Sequence, residues 1–398
     1  MSPFRRFWAL DPKVTFLNHG SFGACPKPIL KLQAELRHEM EAEPVQFLWR
    51  RFEERLEPSR RVLAKFLGAR SKDVVFTTNA TTGVNAVVRS LKFKAGDELL
   101  TTSLDYNACR NVLNETAARS GAKVVVAPVP FPVRTEDEIV GAVLKAVSKK
   151  TRLALIDHVT SDTGMVLPVE RLVRELEARG VDTLVDGAHA PGMVALNLSR
   201  LRPAYYTGNL HKWVCAPKGA AFLWVREDLQ AGIQPPVISH GNNRTRPGFT
   251  EFQDRFDWCG TFDPTAWFCA GEAIRWMGSV LPGGWSEVRR RNHALVVEAR
   301  RLLCRRLDLV PPCPESMLGS LATLPLPARL QGTALGGNKI DADQSRLFDE
   351  FRIEVPFSRI GCPPLRHFRI SAQLYNSISE YDALADAIDR LTASNVAR

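Results

Sequence analysis

The sequence lacks a long apolar run and a paired-cysteine motif. No apolar run approaches the roughly 20 residues that a membrane-spanning helix needs, so we expect no membrane partner. The eight cysteines are scattered and none forms a C-x-x-C pair, which disfavours zinc and redox motifs. Residues 1–8 are charged, but no apolar stretch typical of a signal peptide follows them. We therefore expect a cytoplasmic protein with buried free thiols and no metal.

The sequence also lacks a basic stripe with interleaved aromatic residues. The 398 residues include 53 Lys+Arg against 43 Asp+Glu, which gives a net charge of +10. Short basic blocks such as Arg289–Arg291 are typical of solvated helix faces. Because no known nucleic-acid module appears, we expect no nucleic-acid partner and attribute the charge to surface helices and an anion-accepting site.

The first two thirds of the chain alternate short β-rich runs with helical patterns such as 83–90 and 169–179. Strands separated by helices predict β-α-β crossovers, and near-continuous apolar strands predict burial on both faces. We therefore predict an α/β fold with a mostly parallel, doubly wound seven-stranded sheet. Its strands are expected at Asp73–Thr78, Glu98–Thr102, Lys123–Ala127, Arg152–Asp157, Thr183–Asp186, Ala204–Thr207 and Ala221–Val225.

The pattern changes after about residue 265. We predict one long helical region from Thr265 to about Leu307, a Pro- and Gly-rich segment over 310–336, and then a smaller α+β unit. That unit has a helix at Ala342–Phe351, a strand at Phe368–Ser371 and a closing helix at Ser379–Thr392. The predicted division is an N-terminal segment, 1–30, that packs with the small domain, a large domain, 31–275, and a small C-terminal domain, 276–398.

Three groups of residues that could carry out chemistry follow predicted strands. Asp186 closes one strand, Lys212 follows another, and the small and hydroxyl residues of Thr78–Gly83 lie between a strand and a helix. Alone, Asp186 could be a turn residue, Lys212 a surface residue and Asn79 a simple helix cap. In doubly wound sheets, however, ligands bind at the carboxyl ends of strands. An amine, a carboxylate and a phosphate-binding helix start are what pyridoxal phosphate requires.

Six motifs, distributed over nearly the whole chain, are similar to those of a known family. They are Phe16–Gly23, Thr77–Asn85, Asp186–His189, Thr207–Trp213, Trp258–Pro264 and Arg369–Asn376. With them the chain resembles a class V aminotransferase-fold enzyme (fold type I), and within that group the isopenicillin N epimerase-like branch. The resemblance implies a pyridoxal 5'-phosphate enzyme that acts on an amino acid.

The resemblance also implies roles for individual residues. Lys212 would carry the cofactor as a Schiff base and act as the base at Cα, while Asp186 would pair with the pyridine nitrogen. The other cofactor contacts it implies are Ala80, Thr81, Tyr106, Ser161, His189, Asn209, His211, Gly260 and Thr261. Gly260 and Thr261 would reach the phosphate of a partner subunit, so a homodimer with a shared active site is expected. Arg369 would bind the substrate carboxylate.

Some roles stay open at this stage. His189 could merely cap a turn, Arg369 could be an ordinary salt-bridged arginine, and either Tyr106 or Asn107 could stack on the cofactor ring. The residues expected to contact the substrate side chain, flagged only by position, are His19, Phe22, Trp49, Arg50 and Arg244.

Three reactions compete for the Cα carbanion that this cofactor stabilises. Epimerisation or racemisation ranks first, although the sequence names no second base besides Tyr106 or a water. A C–S lyase or another Cβ reaction, including aldol-type chemistry, ranks close behind, and transamination third. Cysteine desulfuration is disfavoured because Cys362 lies only seven residues before Arg369 and beside two prolines. A non-catalytic cofactor-binding protein is the remaining alternative.

Overall fold

The structure, a computed structural model, describes residues 2–332 and 340–396, with side chains as far as Leu391. The strands are β1 Thr15–Phe16, β2 Val74–Thr77, β3 Glu98–Thr102, β4 Lys123–Ala127, β5 Thr151–Asp157, β6 Asp182–Asp186, β7 Tyr205–Asn209, β8 Ala221–Val225, β9 Leu321–Pro325, β10 Ile353–Glu354, β11 Phe357–Ile360 and β12 Leu365–Ser371. The helices are α1 His19–Phe22, α2 Lys27–Ala42, α3 Phe52–Leu67, α4 Ala80–Ser90, α5 Asn107–Ser120, α6 Glu136–Lys145, α7 Val169–Glu177, α8 Leu198–Leu201, α9 Glu251–Asp257, α10 Thr265–Ser279, α11 Gly284–Leu307, α12 Ala342–Phe351 and α13 Ile378–Val396.

The predicted seven-stranded sheet is confirmed, in the order β2-β8-β7-β6-β5-β3-β4. All pairings are parallel except the two that β8 makes, which are antiparallel. Successive strand residues belong to two different hydrophobic clusters: Leu155 and Leu184 pack on one face, and Ile156 and Val185 on the other. Burial on both faces explains why the strands are continuous apolar runs.

The helical region expected from Thr265 to Leu307 consists of two helices rather than one. Two helices, α10 and α11, are separated at residues 280–283, where Pro282 and Gly283 interrupt the pattern. Proline cannot continue a helix without losing a hydrogen bond, and Gly284 has a positive φ of 61° at the start of α11.

The Pro- and Gly-rich segment also contains a strand that the sequence pattern did not predict. This strand, β9, pairs with β12, and β12 pairs with β11, in a three-stranded antiparallel sheet. Residues 333–339 of the same segment lie outside the described residues.

The N-terminal segment contacts the C-terminal part of the chain. Strand β1 pairs in parallel with β10, the Ser371 N–H donates to the Leu17 carbonyl, and the Ser2 hydroxyl donates to the Leu374 carbonyl. On these contacts we propose that residues 1–30 and 276–398 form the small unit, and 31–275 the large one. Among the described helices, none is both long and apolar enough to cross a membrane.

Candidate active site

A cavity of about 390 Å³ lies where β2, β5, β6 and β7 end, within the size range of small-molecule sites. We call it the central cavity. Parallel strands place their carboxyl ends at one edge of a sheet, so the residues that follow them meet there. Its wall contains Ser21, Phe22, Thr78, Asn79, Ala80, Thr81, Tyr106, Asp157, Val159, Ser161, Asp186, Ala188, His189, Asn209, His211, Lys212 and Gly219.

Lys212 presents its amine to the central cavity from the loop after β7. Its Nζ lies 3.0 Å from His189 Nε2. Burial, followed by the positive charge of Arg369, lowers the pKa of Lys212 to about 8. A buried lysine with a depressed pKa can supply the free amine that a nucleophile or a base requires near neutral pH.

Asp186 ends β6 and is 3% exposed. The Cys109 thiol donates to Oδ2 at 3.1 Å, and the Ala188 N–H donates to Oδ1 at 2.9 Å. Burial raises the pKa of Asp186, and these two hydrogen bonds and Lys212 oppose that shift. The carboxylate is thus fixed in orientation and faces the cavity beside Lys212.

Asp157 ends β5 directly opposite Asp186 in the parallel register. It is 3% exposed, and its Oδ1 atom has no hydrogen-bond partner among the described residues. Burial and the neighbouring Asp186 charge raise its pKa well above the usual range. The site therefore holds two adjacent carboxyl groups with different surroundings.

The phosphate-binding end predicted at Thr78–Gly83 lies at the N-terminus of α4. Asn79 caps the helix by accepting from the Thr82 N–H at 2.8 Å, and helix N-termini attract anions. The Ala80 N–H, however, already donates to Asn209 Oδ1 at 2.8 Å. Asn209 thus holds the start of α4 in place, and Ala80 lies at the cavity wall. Thr81 remains at the cavity wall.

His211 also lines the central cavity. Its Nδ1 lies 3.1 Å from the Ala220 carbonyl, and burial lowers its pKa to about 4. A carbonyl only accepts, so Nδ1 carries the proton and Nε2 is left as an acceptor. His211 is thus neutral, and in this tautomer it offers an anion neither a positive charge nor a free N–H.

Arg369 lies in a second, smaller pocket of about 190 Å³ that shares Ser21, Phe22, Tyr106, Ser161 and Lys212 with the central cavity. We call it the Arg369 pocket. Nη1 donates to the Ser161 carbonyl at 2.6 Å and Nη2 donates to Ser21 Oγ at 3.1 Å. Nε is buried without a hydrogen-bond partner among the described residues. Burial lowers the pKa of Arg369 to about 10, so it stays charged at neutral pH.

Tyr106 forms the N-cap of α5 and is 46% exposed at the wall that both pockets share. Burial of its inner part, followed by Cys109, Asp186 and Asp162, raises its pKa. The phenol is therefore protonated at neutral pH. Ser161 lies at the same shared wall.

Three of the expected site residues are not at the cavity. His19 is fully buried beneath the lysine loop, with Nδ1 2.8 Å from the Tyr375 hydroxyl and Nε2 3.0 Å from the Lys212 carbonyl. Its place in the structure is that of a support for Lys212 rather than a substrate contact. Gly260 and Thr261 line neither pocket of this single chain.

Of the other residues flagged for the substrate side chain, Phe22 lines both pockets. Arg244 instead lies over the Trp49 ring, 4.8 Å from its centre, in a separate crevice. Five of the eight cysteines are buried, as expected, whereas Cys362 is exposed and Cys259 and Cys304 are partly exposed.

Sequence reasoning missed three residues that complete the site: Asp157, Cys109 and Trp213. Asp157 had a signal, because it ends a predicted strand just as Asp186 does. Cys109 lies one helical turn after Tyr106 on α5, a helix that the sequence pattern had not revealed. The Trp213 indole reaches His189 at 3.3 Å, a contact that depends on how the lysine loop folds back.

The donors and acceptors of the central cavity fit pyridoxal 5'-phosphate. The buried carboxylate of Asp186 can pair with a protonated ring nitrogen, and Lys212 can bind an aldehyde. The N-terminus of α4 with Thr81 can accept a phosphate. No group of three or more His, Cys, Asp or Glu side chains that could hold a metal ion occurs in residues 2–332 and 340–396.

Residues 25–310 match the family model described as aminotransferase class-V. The chain therefore belongs to the class V aminotransferase family, and its cofactor is pyridoxal 5'-phosphate. It is 35% identical to an isopenicillin N epimerase of Amycolatopsis lactamdurans over 96% of both chains. It is 32% identical to a putative L-cysteine desulfhydrase of Oryza sativa subsp. japonica, over 96% of this chain and 83% of that protein. Apo cysteine desulfurase from Thermococcus onnurineus NA1 has the same fold, with a TM-score of 0.81, 22% identity and 99% of both chains covered.

Proposed function

We propose that this chain is an amino-acid epimerase or racemase that transfers protons at Cα with Lys212 and Tyr106. One observation carries the proposal: among the described residues, these two are the only titratable side chains that line both the central cavity and the Arg369 pocket. Epimerisation needs proton transfer on both faces of one carbon, and two such groups could each serve one face. A substrate whose carboxylate is held by Arg369 would have its Cα near both.

Bound pyridoxal phosphate would supply an electron sink for the carbanion at Cα. Lys212, once released from the cofactor, would take the Cα proton as a free amine. Tyr106, a neutral phenol because its pKa is raised, would give its proton to the opposite face. Water would then return a proton to Tyr106 and remove one from Lys212, so that no atom or electron is gained or lost overall.

Two further features of the proposal concern the assembly and the compartment. We propose a homodimer in which Gly260 and Thr261 of each subunit reach the phosphate end of its partner's site, because neither residue lines the central cavity or the Arg369 pocket of its own chain. We also propose a reducing compartment, the cytoplasm, because all eight cysteines are free thiols.

The second candidate is a C–S lyase, which the similarity to L-cysteine desulfhydrases favours. Elimination of a Cβ substituent needs one base at Cα, and Lys212 alone could provide it. Cysteine desulfuration with Cys362 as the nucleophile is not supported. Cys362 lines a different pocket, together with Phe131 and Arg359, and neither the central cavity nor the Arg369 pocket.

The test is to incubate the enzyme with a panel of L-amino acids in deuterated water. Epimerisation gives deuterium at Cα together with loss of optical purity. The Tyr106→Phe variant is expected to lose inversion by on the order of 10²–10⁴-fold, while Lys212 still exchanges the Cα proton with retention. Tyr205→Phe is the matched control, because Tyr205 lines neither pocket.

Other outcomes would contradict the proposal. Release of pyruvate, ammonia and sulfide from cysteine without inversion would establish the lyase instead. Equal losses of exchange and inversion in Tyr106→Phe would show that Tyr106 is not a separate proton donor. Borohydride should fix the cofactor to Lys212 in either case, and a Lys212→Ala protein that still retains covalent cofactor would overturn both candidates.

A further inference from the structure

His189 lies between the side chains of Lys212 and Trp213, which are neighbours in the chain. Its Nε2 is 3.0 Å from Lys212 Nζ, and its Nδ1 is 3.3 Å from the indole Nε1 of Trp213. His189 and Trp213 are 2% and 1% exposed, so solvent competes little for either contact. The three side chains form a short hydrogen-bonded chain that ends at the reactive amine.

The donor and acceptor of each of these hydrogen bonds are fixed by the chemistry of the indole. A tryptophan Nε1–H only donates, so His189 Nδ1 must be the unprotonated nitrogen. A neutral imidazole then carries its proton on Nε2, and that N–H must donate. The atom that faces it, Lys212 Nζ, can accept only as a free amine, because an ammonium group has no lone pair.

We propose that Trp213 fixes the tautomer of His189 and thereby holds Lys212 as a free amine at the cavity wall. Trp213 is thus a positioning residue, which acts on the lysine through the histidine. The claim about the tautomer stands independently of the reaction catalysed. Its consequence for cofactor attachment rests on the proposed role of Lys212.

Burial and the charge of Arg369 act in the same direction as the hydrogen bonds. Burial keeps the pKa of His189 well below its usual range, so that it is neutral. Burial and Arg369 lower the pKa of Lys212. The other titratable groups that influence these two residues are Asp186, Asp157, Cys109, His19 and His211. The carboxylates of Asp186 and Asp157 raise the pKa of Lys212 and so favour its charged form. A hydrogen bond donated to Nζ by His189 favours the free amine and opposes that effect.

The backbone of Lys212 and Trp213 is held from the opposite side. His19 Nε2 lies 3.0 Å from the Lys212 carbonyl, and its ring packs 4.9 Å from the Trp213 ring. The Tyr375 hydroxyl in turn lies 2.8 Å from His19 Nδ1. A carbonyl only accepts, so His19 is also protonated on Nε2. The position of the indole therefore depends on the N-terminal segment and not on the loop alone.

The Nε2–H of His189 can also donate a hydrogen bond when Lys212 is bound to the cofactor. The lysine nitrogen is then engaged, and His189 still carries a proton on Nε2 at the cavity wall. The resemblance to the family implies that His189 contacts the ring oxygen of the cofactor. Trp213 would keep the donor, rather than the lone pair, directed at that oxygen.

The experiment is nitrogen-15 NMR of cofactor-free protein labelled at its eight histidines, with His189→Asn used to assign the signals of His189. We expect a protonated Nε2 and an unprotonated Nδ1 for His189 at neutral pH. In Trp213→Phe we expect both shifts to move toward the average of two tautomers. A wild-type His189 protonated on Nδ1, or identical shifts in the variant, would overturn the proposal.

A second readout follows Lys212 itself. The pH at which added pyridoxal phosphate is captured and fixed by borohydride should move upward in Trp213→Phe, with a several-fold slower capture at neutral pH. Trp285→Phe is the matched control, since the Trp285 indole donates to a backbone carbonyl far from the cavity, that of Ile274 at 3.0 Å. If Trp213→Phe does not fold, benzothienylalanine at position 213 replaces the N–H by sulfur and preserves the shape.

These readouts separate the inference from the proposed function. An enzyme that proves to be a lyase, or that shows no activity with any amino acid tested, would still report the histidine tautomer and the pH of lysine capture. An unchanged capture pH together with normal epimerisation would overturn the inference and leave the function standing.

Discussion

Asp157 and Asp186 lie opposite each other at the ends of two neighbouring parallel strands, and both are buried at the wall of one cavity. Asp186 accepts hydrogen bonds from Cys109 and from the Ala188 N–H, whereas Asp157 Oδ1 has no partner among the described residues. Two adjacent buried carboxyl groups do not both ionise readily. Asp157 therefore keeps the proton and Asp186 carries the charge.

This relationship predicts how stability depends on pH in Asp157→Asn. In the unfolded chain an aspartate ionises near pH 3.9, whereas burial raises the folded-state pKa of Asp157. Its contribution is therefore fully present below about pH 3.9 and is lost as the pH rises toward the folded pKa. Asparagine does not titrate, so the variant should gain stability relative to wild type between about pH 4 and pH 7.

Urea unfolding of the cofactor-free proteins at both pH values measures this effect. Asp137→Asn is the control, since the Asp137 side chain is 77% exposed and should show no such change. A constant difference between Asp157→Asn and wild type across the pH range would mean that Asp157 is ionised in the folded protein.

The second prediction concerns Arg369. Arg369→Lys keeps the positive charge but loses the planar fork that binds a carboxylate, and Arg369→Gln loses both. Charge-assisted hydrogen bonds contribute about 1.5–3 kcal/mol, so KM should rise on the order of 10–100-fold in each variant. Because the charge of Arg369 also lowers the pKa of Lys212, only Arg369→Gln should shift borohydride capture to higher pH. A capture pH that moves equally in both variants would contradict this electrostatic account.

The third prediction compares two helical glycines. A Cβ at Gly83, in α4, would lie 2.2 Å from Thr207 Oγ1, whereas a Cβ at Gly141, in α6, would meet nothing within 4 Å. Gly83→Ala should cost about 1–3 kcal/mol and weaken cofactor binding, because Thr81 moves with α4. Gly141→Ala should instead stabilise the fold by about 0.4–1 kcal/mol.

Denaturant titration with and without added cofactor separates these two substitutions. If Gly83→Ala matched Gly141→Ala in stability, the close contact between α4 and β7 would not be a constraint on the phosphate-binding end.

The fourth prediction concerns Cys362. Because this exposed thiol lines neither pocket that contains Lys212, Cys362→Ser should keep its activity within about twofold, the level expected of a surface change. Assays with and without a reducing agent, with Cys259→Ser as a comparison, measure this. Loss of sulfur release from cysteine in Cys362→Ser alone would revive the desulfurase alternative.

Much of the fold could be predicted because its strands are buried on both faces. Such strands are continuous apolar runs, so β3 and β8 have the bounds expected from the sequence. The edge strand β4 also has the expected bounds, although four of its five residues are exposed or half-buried. The antiparallel direction of β8 is not encoded in its composition. Strand β9 was missed because prolines and glycines surround it, and the break between α10 and α11 was missed although Pro282 and Gly283 mark it.

The candidate site could be predicted where its residues end strands of one sheet. Topology alone brings Asp186 and Lys212 to the same edge, and the structure places both in one cavity. Contacts that depend on how separate elements pack against each other could not be predicted from the sequence. The Cys109 thiol reaches Asp186 only because α5 packs against the sheet, and His19 reaches Lys212 only because the N-terminal segment folds back across 193 positions of the chain.

That long return of the chain has a kinetic consequence. His19 and Arg369 make contacts near Lys212 that span 193 and 208 residues, and contacts so distant in sequence form slowly. During refolding, the central sheet should gain its secondary structure before the lysine loop is held in place. The absorbance of bound cofactor would then report when the last segment packs in place, separately from the secondary-structure signal of the sheet.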